Sequence, residues 1–525
     1  MHALSSCRSC LSRCRTLASA HQSSLVRLSS IASTSPVVTA VIRDASRPVG
    51  PPLQSQLFTS LSRPDMARPE AFVSTSTDPY FNLSLEDFLF RSRSRPPKAS
   101  RRNATANADP PDQPPVLLLY RNDPCVVVGR NQNAWKEVDA HTMCQRGIPL
   151  VRRRSGGGTV YHDLGNTNYS IHVSKVAFDR STNAHLIVRA LNQPPIDLLG
   201  SHDVEASLAQ AAGNKERIAS SRGVYVNERN DICVSLIPNA EDVAEVAAGE
   251  ASAARSKEHE RKVSGSAYKL TGTRAYHHGT MLLSSDLSSL GSALHNDRGD
   301  ALRTKGIGSV RARVANLTES FPHAAAAGRL THALFVRAVV REFFRTYGGE
   351  TEQAEASFVG EEMLQREQRL REGYEELISW DWTYGQTPEF THELSTSRAA
   401  PACMAGADSA DITSTEPASW QPDWPWSDRW GDFKLSISSR HGLIVDATLS
   451  DVRLGSCVHE AALRSLVYAL HGRRYDDFAT RPPGRLTGAS ADADAGTYQS
   501  ELFSGAEGEE GEFKKGLLLW LKRVL

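Results

Sequence analysis

Two short apolar runs constrain this fold more than anything else in the chain. Val116-Leu-Leu-Leu-Tyr120 and Cys125-Val-Val-Val-Gly129 contain no polar break. Both are too short for a buried helix, and the second is rich in β-branched residues. A strand with one wet face alternates. An unbroken apolar run reads as a strand buried on both faces, in a sheet covered by helices. Arg121-Asn-Asp-Pro124 makes the turn between the two strands. An α/β fold is therefore expected. At 525 residues the chain exceeds what one core usually serves, so two folded domains with extra segments are expected.

The covering helices are legible. Asp78-Pro-Tyr-Phe-Asn-Leu opens with turn residues, and Leu85, Phe88 and Leu89 then fall at i, i+3 and i+4. A second helix is expected around Trp135–Gln145, ending at Gly147. An amphipathic helix is expected from about Leu330 to Tyr347, stopped by Gly348-Gly349. A charged helical stretch covers Glu361–Ile378. Alternating Tyr169, Ile171 and Val173, and then Ile232, Val234 and Leu236, read as strands. Gly431–Ser438 and Leu443–Leu449 read as a hairpin, followed by helices near His459–His471 and Phe513–Val524. These make a smaller C-terminal α+β domain. The expected organisation is a leader over 1–66, a main domain over 67–385 and an accessory domain over 386–525. Polar insertions fall near 91–115, 192–223, 239–261 and 395–425.

Composition narrows the function. Lysine plus arginine equals aspartate plus glutamate, 60 each, so no global basic field draws nucleic acid. No apolar run approaches the roughly 20 residues of a membrane helix, so no membrane partner is expected. The first 43 residues carry Arg8, Arg13, Arg15, Arg27 and Arg43, many serines, and no acidic residue before Asp44. That is the composition of an organellar transit peptide, and mitochondrial localisation is expected. Cys125, Cys144, Cys233, Cys403 and Cys457 lack paired-ligand spacing, so no metal site is expected. Cys125 and Cys233 sit in apolar runs and read as core residues.

The chemistry-bearing stretch is Val151-Arg-Arg-Arg-Ser-Gly-Gly-Gly-Thr-Val-Tyr-His-Asp163. Arg152, Arg153 and Arg154 offer planar forks suited to phosphate or carboxylate. The three glycines bring bare backbone beside them. Taken alone, the stretch is either an anion cradle or a solvated basic turn.

Its company decides. Asp78-Pro-Tyr-Phe-Asn-Leu-Ser-Leu-Glu86, Val128-Gly-Arg-Asn-Gln-Asn-Ala-Trp-Lys-Glu137, the loop with His162-Asp-Leu-Gly-Asn-Thr167, Arg229-Asn-Asp231, Lys262-Val-Ser-Gly-Ser-Ala-Tyr268, His277-His-Gly-Thr280 and Ser309-Val-Arg-Ala-Arg-Val-Ala-Asn-Leu-Thr318 occur in that order. Together they resemble the lipoate–protein ligase A family over about residues 75–450. The resemblance continues into Trp380-Asp-Trp-Thr-Tyr-Gly-Gln386, the domain junction of two-domain members. It implies a biotin/lipoate protein ligase catalytic domain, related to class II synthetases, with a smaller C-terminal domain. It implies that lipoate and MgATP give lipoyl-AMP and pyrophosphate. The lipoyl group would then pass to a lysine of lipoyl-carrier domains, on 2-oxoacid dehydrogenase subunits and the glycine-cleavage H protein.

Residue by residue, the resemblance puts Lys262 against both the lipoyl carbonyl and the adenylate phosphate, as the catalytic residue. Arg153 is the implied nucleotide contact. Gly158, Thr159, Val160 and Tyr161 lie along the adenylate. Asn230-Asp231 reads either as lining the nucleotide end or helping Mg²⁺, or as an ordinary turn before a strand. Arg154 has no implied role. His277, His278 and His162 read as structural rather than acid–base groups. The Val126–Val128 strand reads either as an acyl-tunnel wall or as plain core. A mixed anhydride needs no cysteine nucleophile, which separates this chemistry from thioester-type acyl transfer. The nearest alternative is a lipoyltransferase that uses lipoyl-AMP or acyl-CoA without efficient ATP activation. A nucleic-acid-binding protein and a biotin ligase fit less well.

Overall fold

The computed structural model describes residues 68–92, 114–198, 219–237, 259–296, 299–348, 354–396, 427–477 and 508–525. The expected leader and most of the four expected insertions lie outside the described residues. Strand β1 (Glu70–Ser74) leads into helix α1 (Pro79–Ser92). The Asp78 carboxylate accepts from Tyr80 N at 2.9 Å, so the turn predicted there caps the helix. α1 is buried on nearly every side, polar Asn82, Ser84, Glu86 and Asp87 included. Buried polar groups call for partners: Asn82 bonds Ser76 O and Arg121 O, Glu86 meets His278, and Asp87 meets Arg154 and Lys269, while Ser84 Oγ has none among the described residues.

β2 (Val116–Tyr120) and β3 (Cys125–Val128) are buried at every position, as their sequence demands. They do not, however, pair with each other: β2 joins a six-stranded sheet and β3 a separate three-stranded one. Between them Asn122 is fully buried and bonded to Asn82 and His162, so 121–124 is an anchored crossing rather than a hairpin turn. The helix expected over Trp135–Gln145 is two, α2 (Ala134–Glu137) and α3 (Ala140–Arg146). Asp139 accepts from His141 N and Thr142 N, and this second cap interrupts the run. Gly147, at φ +66°, closes α3 as expected. β4 (Leu150–Arg152) runs parallel to β3, and β5 (Val160–His162) antiparallel to it. β6 (Asn166–Ser174) and α4 (Arg180–Asn192) follow.

β7 (Ala219–Val226), β8 (Ile232–Ile237) and β9 (Glu260–Ser264) form an antiparallel sheet. Two expected insertions therefore end early, since 219–223 and 260–261 are strand. Their polar sequences hide this, because β7 and β9 are held by backbone pairing to apolar β8. β10 (Ser266–Leu270) and β11 (Arg274–Leu282) pair antiparallel, followed by α5 (Leu287–Leu294) and β12 (Leu302–Thr304). α6 (His332–Tyr347) starts after Thr331, whose hydroxyl accepts from Leu334 N, rather than at Leu330. β13 (Ser357–Val359) completes the main sheet, in the order β10-β11-β6-β2-β1-β13. Leu186, Ile187, Phe335, Val339 and Phe343 from α4 and α6 pack on Leu117, Leu119 and Ile171 of that sheet.

The charged stretch Glu361–Ile378 breaks at Glu367 into a single turn, Met363–Arg366, and α7 (Gln368–Leu377). α8 (Trp380–Thr383) follows. β14 (Phe390–Ser395), β15 (Gly431–Arg440) and β16 (Leu443–Leu454) make an antiparallel sheet in the order β12-β14-β15-β16. α9 (Cys457–Leu470) and α10 (Gly508–Val524) supply Leu463, Leu466 and Trp520 to pack on Phe433 and Ile437. This core runs without a break into Val126, Val128 and Trp135.

Candidate active site

The glycine-rich loop lies between β4 and β5 and is held by its own arginines. Arg152 is fully buried and donates to Gly129 O (3.1 Å), Arg130 O (2.9 Å), Gln132 O (2.8 Å) and Thr383 O (2.7 Å). Arg154 pairs with Glu376 at 2.5 Å and Asp87 at 3.2 Å, and stacks over the Trp382 ring at 4.5 Å. Arg153 donates to Val127 O (3.1 Å), Gly156 O (2.6 Å) and Gly158 O (2.7 Å). Burial lowers its guanidinium pKa to about 10, still charged at neutral pH. Three arginines that look equivalent in sequence are three different braces. Arg153 reaches the ligand cavity, but its donors grip loop carbonyls rather than standing free. Two glycines are required here: a Cβ on Gly129 would meet Gly157 O at 2.2 Å, and Gly157 has φ +85°, whereas a Cβ on Gly156 would meet nothing.

Facing the loop is Lys262 on β9. Its Nζ lies 2.7 Å from Asp231 Oδ1. Asp231 is presented by a tight turn: Asn227 Oδ1 accepts from Arg229 N and Asp231 N, both at 3.0 Å, and Asn230 has φ +61°. The Lys262 backbone is tied to 313–315, donating to Arg313 O at 2.9 Å and accepting from Ala315 N at 3.2 Å.

Two cavities, of about 550 and 500 Å³, meet at Lys262. They share Thr159, Val160, Gly265, Thr280 and the segment 308–310. The first brings together Arg153, Gly158, Thr159, Val160, Asp231 and Lys262, six of the seven residues singled out in the sequence. Tyr161 is not among them. Strand alternation turns it from Val160 and His162 toward the second cavity and the core. Val126 and Val128 are core, while Val127 is both core and a wall of the first cavity, so both readings of that strand hold at Val127.

Some contacts carry no sequence signal. Ser309 Oγ accepts from Thr159 N (2.9 Å) and Gln132 Nε2 (3.0 Å), and donates to the Glu137 carboxylate. His278 lies 2.8 Å from both Ser155 Oγ and Glu86, so it is a bracket between α1 and the loop. Neighbouring Asp87 holds Arg154 and Lys269, each at 3.2 Å. Gln132, Glu137 and Glu86 sit inside the sequence blocks quoted above, and that membership was their only clue. His277 is buried, lines neither cavity, and is pushed down to about 3 by burial. Burial raises the Cys125 thiol and pushes Cys233 up to about 12, so neither is a ready thiolate. Among the described residues no cluster of three His, Cys, Asp or Glu is arranged to hold a metal.

Residues 78–344, slightly more than half of the chain, match the family model of the lipoyl protein ligase A/B catalytic domain. The chain belongs to that family. It is thus an enzyme of the ligase/transferase kind, with lipoate ligation as its general activity. Among solved structures it is similar to P. falciparum LipL1 in complex with lipoate, at 20% identity and TM-score 0.42, covering 87% of this chain and 99% of that one. It is also similar to the bipartite lipoate protein ligase of Thermoplasma acidophilum, at 21% identity and TM-score 0.38 (60% and 96% covered). A lipoate-protein ligase A bound with ATP aligns at 21% identity and TM-score 0.36 (60% and 98% covered).

Proposed function

We propose that this protein activates lipoate with MgATP to lipoyl-AMP and then transfers the lipoyl group to a lysine of lipoyl-carrier domains. The observation that carries this reading is Lys262, paired with Asp231 where two cavities meet. The acyl chain would occupy the end of the first cavity among Leu83, Tyr120 and Val127, and the nucleotide would reach from Arg153, Gly158 and Asp231, which line only that first cavity, across Lys262 into the second. The carboxylate and the α-phosphate then meet beside one ammonium.

In the first step a lipoate carboxylate oxygen attacks the α-phosphorus and pyrophosphate leaves. Both reactants are anionic, so positioned positive charge is the main catalytic need. In the second step the acceptor lysine amine attacks the acyl carbonyl carbon. An amide forms, AMP leaves and one proton is released. Lys262 serves both steps, at the phosphoryl oxygens and then at the carbonyl oxygen, while Asp231 fixes its direction. Mg²⁺ enters as the counter-ion of the ATP phosphates. The carriers would be 2-oxoacid dehydrogenase subunits and the glycine-cleavage H protein. The compartment would be the mitochondrion, on the strength of the basic, acid-free first 43 residues; imaging of the tagged full chain tests it.

The deciding measurement is lipoate-dependent ATP–pyrophosphate exchange by the purified full chain. Lys262→Ala should lower exchange, and transfer from supplied lipoyl-AMP, by at least about 100-fold. If the variant keeps both half-reactions, the assignment is wrong. Transfer from lipoyl-AMP without exchange by the wild type would make the protein a transferase only.

A further inference from the structure

His162 stands on β5 two residues beyond Val160, so both project from one face of the strand. Val160 belongs to the wall around Lys262. His162 is therefore one strand repeat, about 7 Å, deeper along the first cavity. This is about the reach of a short acyl chain whose carboxyl end lies at Lys262. His162 is 4% exposed and lines that cavity.

Its tautomer is dictated by a chain of buried amides. Asn82 Nδ2 shares its two hydrogens among Ser76 O (2.9 Å), Arg121 O (3.0 Å) and Asn122 Oδ1 (2.9 Å), one of them in a three-centre bond. The two backbone carbonyls fix which end of Asn82 is nitrogen. Asn122 must then offer its oxygen to Asn82 and its nitrogen to His162, and Asn122 Nδ2 lies 2.9 Å from Nδ1. A ring nitrogen that accepts carries no proton, so the neutral ring carries it on Nε2. Burial, helped by Arg153 and His278, lowers this histidine to about 3 and keeps it neutral. Nε2 has no hydrogen-bond partner among the described residues. A second buried donor on the same wall, Asn168 Nδ2, also has none. Asn168 is the cross-strand neighbour of Tyr120 and Thr280, which line the cavity too.

We propose that His162, with Asn168, is the specificity element of the acyl cavity, selecting a chain that carries acceptor atoms near its far end, the ring sulfurs of lipoate, over a saturated chain of equal length. The inference rests on the acyl-ligase reading above. A saturated chain offers neither donor a partner, whereas a sulfur gives each a weak acceptor. A site built to hydrogen-bond its substrate rejects the analogue that lacks the partner.

The test is calorimetric binding of lipoate, of octanoate and of octanoate with one chain carbon replaced by a thioether sulfur at the ring position. Pyrophosphate exchange is measured in parallel. The wild type should prefer lipoate to octanoate by about tenfold, with the thioether acid between them. His162→Phe should gain affinity for octanoate and lose it for lipoate, collapsing the preference. Equal binding of all three acids by the wild type overturns the inference, and so does a thioether acid no better than octanoate. Neither comparison depends on a variant that folds. Full preference retained in folded His162→Phe overturns it as well. A binding preference without exchange removes ATP activation from the functional reading and leaves the inference standing. Failure to bind any of the acids removes both.

Discussion

Burial holds three histidines neutral far below their usual range: His162 and His277 at about 3, and His332 at about 4. In the unfolded chain each takes a proton near about 6.5. Between those values the unfolded state binds more protons, so stability rises with pH there. Their contribution is complete above about pH 6.5 and is lost as pH falls toward 3. Urea midpoints should accordingly decline from pH 7 to pH 4.5. His277→Leu removes one of the three titrations at a position outside both cavities. It should make the decline shallower by about 1.4 kcal/mol per pH unit below pH 6. An unchanged slope would rule out a buried neutral His277. At this scale the sequence picked out residues that the fold brings together, but not what they hold. Lys262 and the glycines were legible from their blocks. The partners of Arg152, Arg153 and Arg154 were not, because each guanidinium is committed by a backbone path that only the folded loop defines.

The segment between β12 and α6 shows how far apart in sequence the parts of the site lie. Lys305 N donates to Glu389 O and Ile307 N to Asn131 O, both at 3.0 Å, while Lys262 N binds Arg313 O at 2.9 Å. One end is therefore fixed to the C-terminal sheet and the other to the strand that carries Lys262. In the middle Ser309 pins the segment across the wall shared by the cavities. Ser309→Ala removes an acceptor for two donors and a donor to Glu137. These bonds are partly exposed, so about 1 kcal/mol is expected. The apparent KM for ATP in pyrophosphate exchange should rise about fivefold, with the KM for lipoate changing less. Equal rises in both would remove the segment from the nucleotide side. The block Ser309–Thr318 was plain in the sequence, but the contact of Ser309 with Glu137, 172 residues away, was not. Polarity misled in the same way at β7 and β9, where backbone pairing to β8 makes strands of residues that read as insertion.

Among the described residues, the core shared by β3, β5 and the C-terminal sheet ignores the order of its segments. β12 lies in sequence among elements of the main sheet, yet it pairs with β14 in the C-terminal one. The hinge of this arrangement is Trp135. Its ring stacks on Tyr384 at 5.4 Å and packs against Phe390 at 5.5 Å and Tyr475 at 4.8 Å. Two residues on, the same short helix presents Glu137 to Ser309. Packing of the C-terminal sheet and position of the nucleotide-side segment therefore share one turn of helix. Trp135→Ala should cost about 3–5 kcal/mol by leaving a cavity that stacked rings cannot refill. Phe343→Ala, also buried but in the core of the main sheet, should cost a similar amount and serves as the comparison. If the coupling is real, Trp135→Ala raises the KM for ATP at a temperature where both variants remain folded, and Phe343→Ala does not. Equal effects on ATP would reduce Trp135 to a stability residue and uncouple the C-terminal sheet from the site.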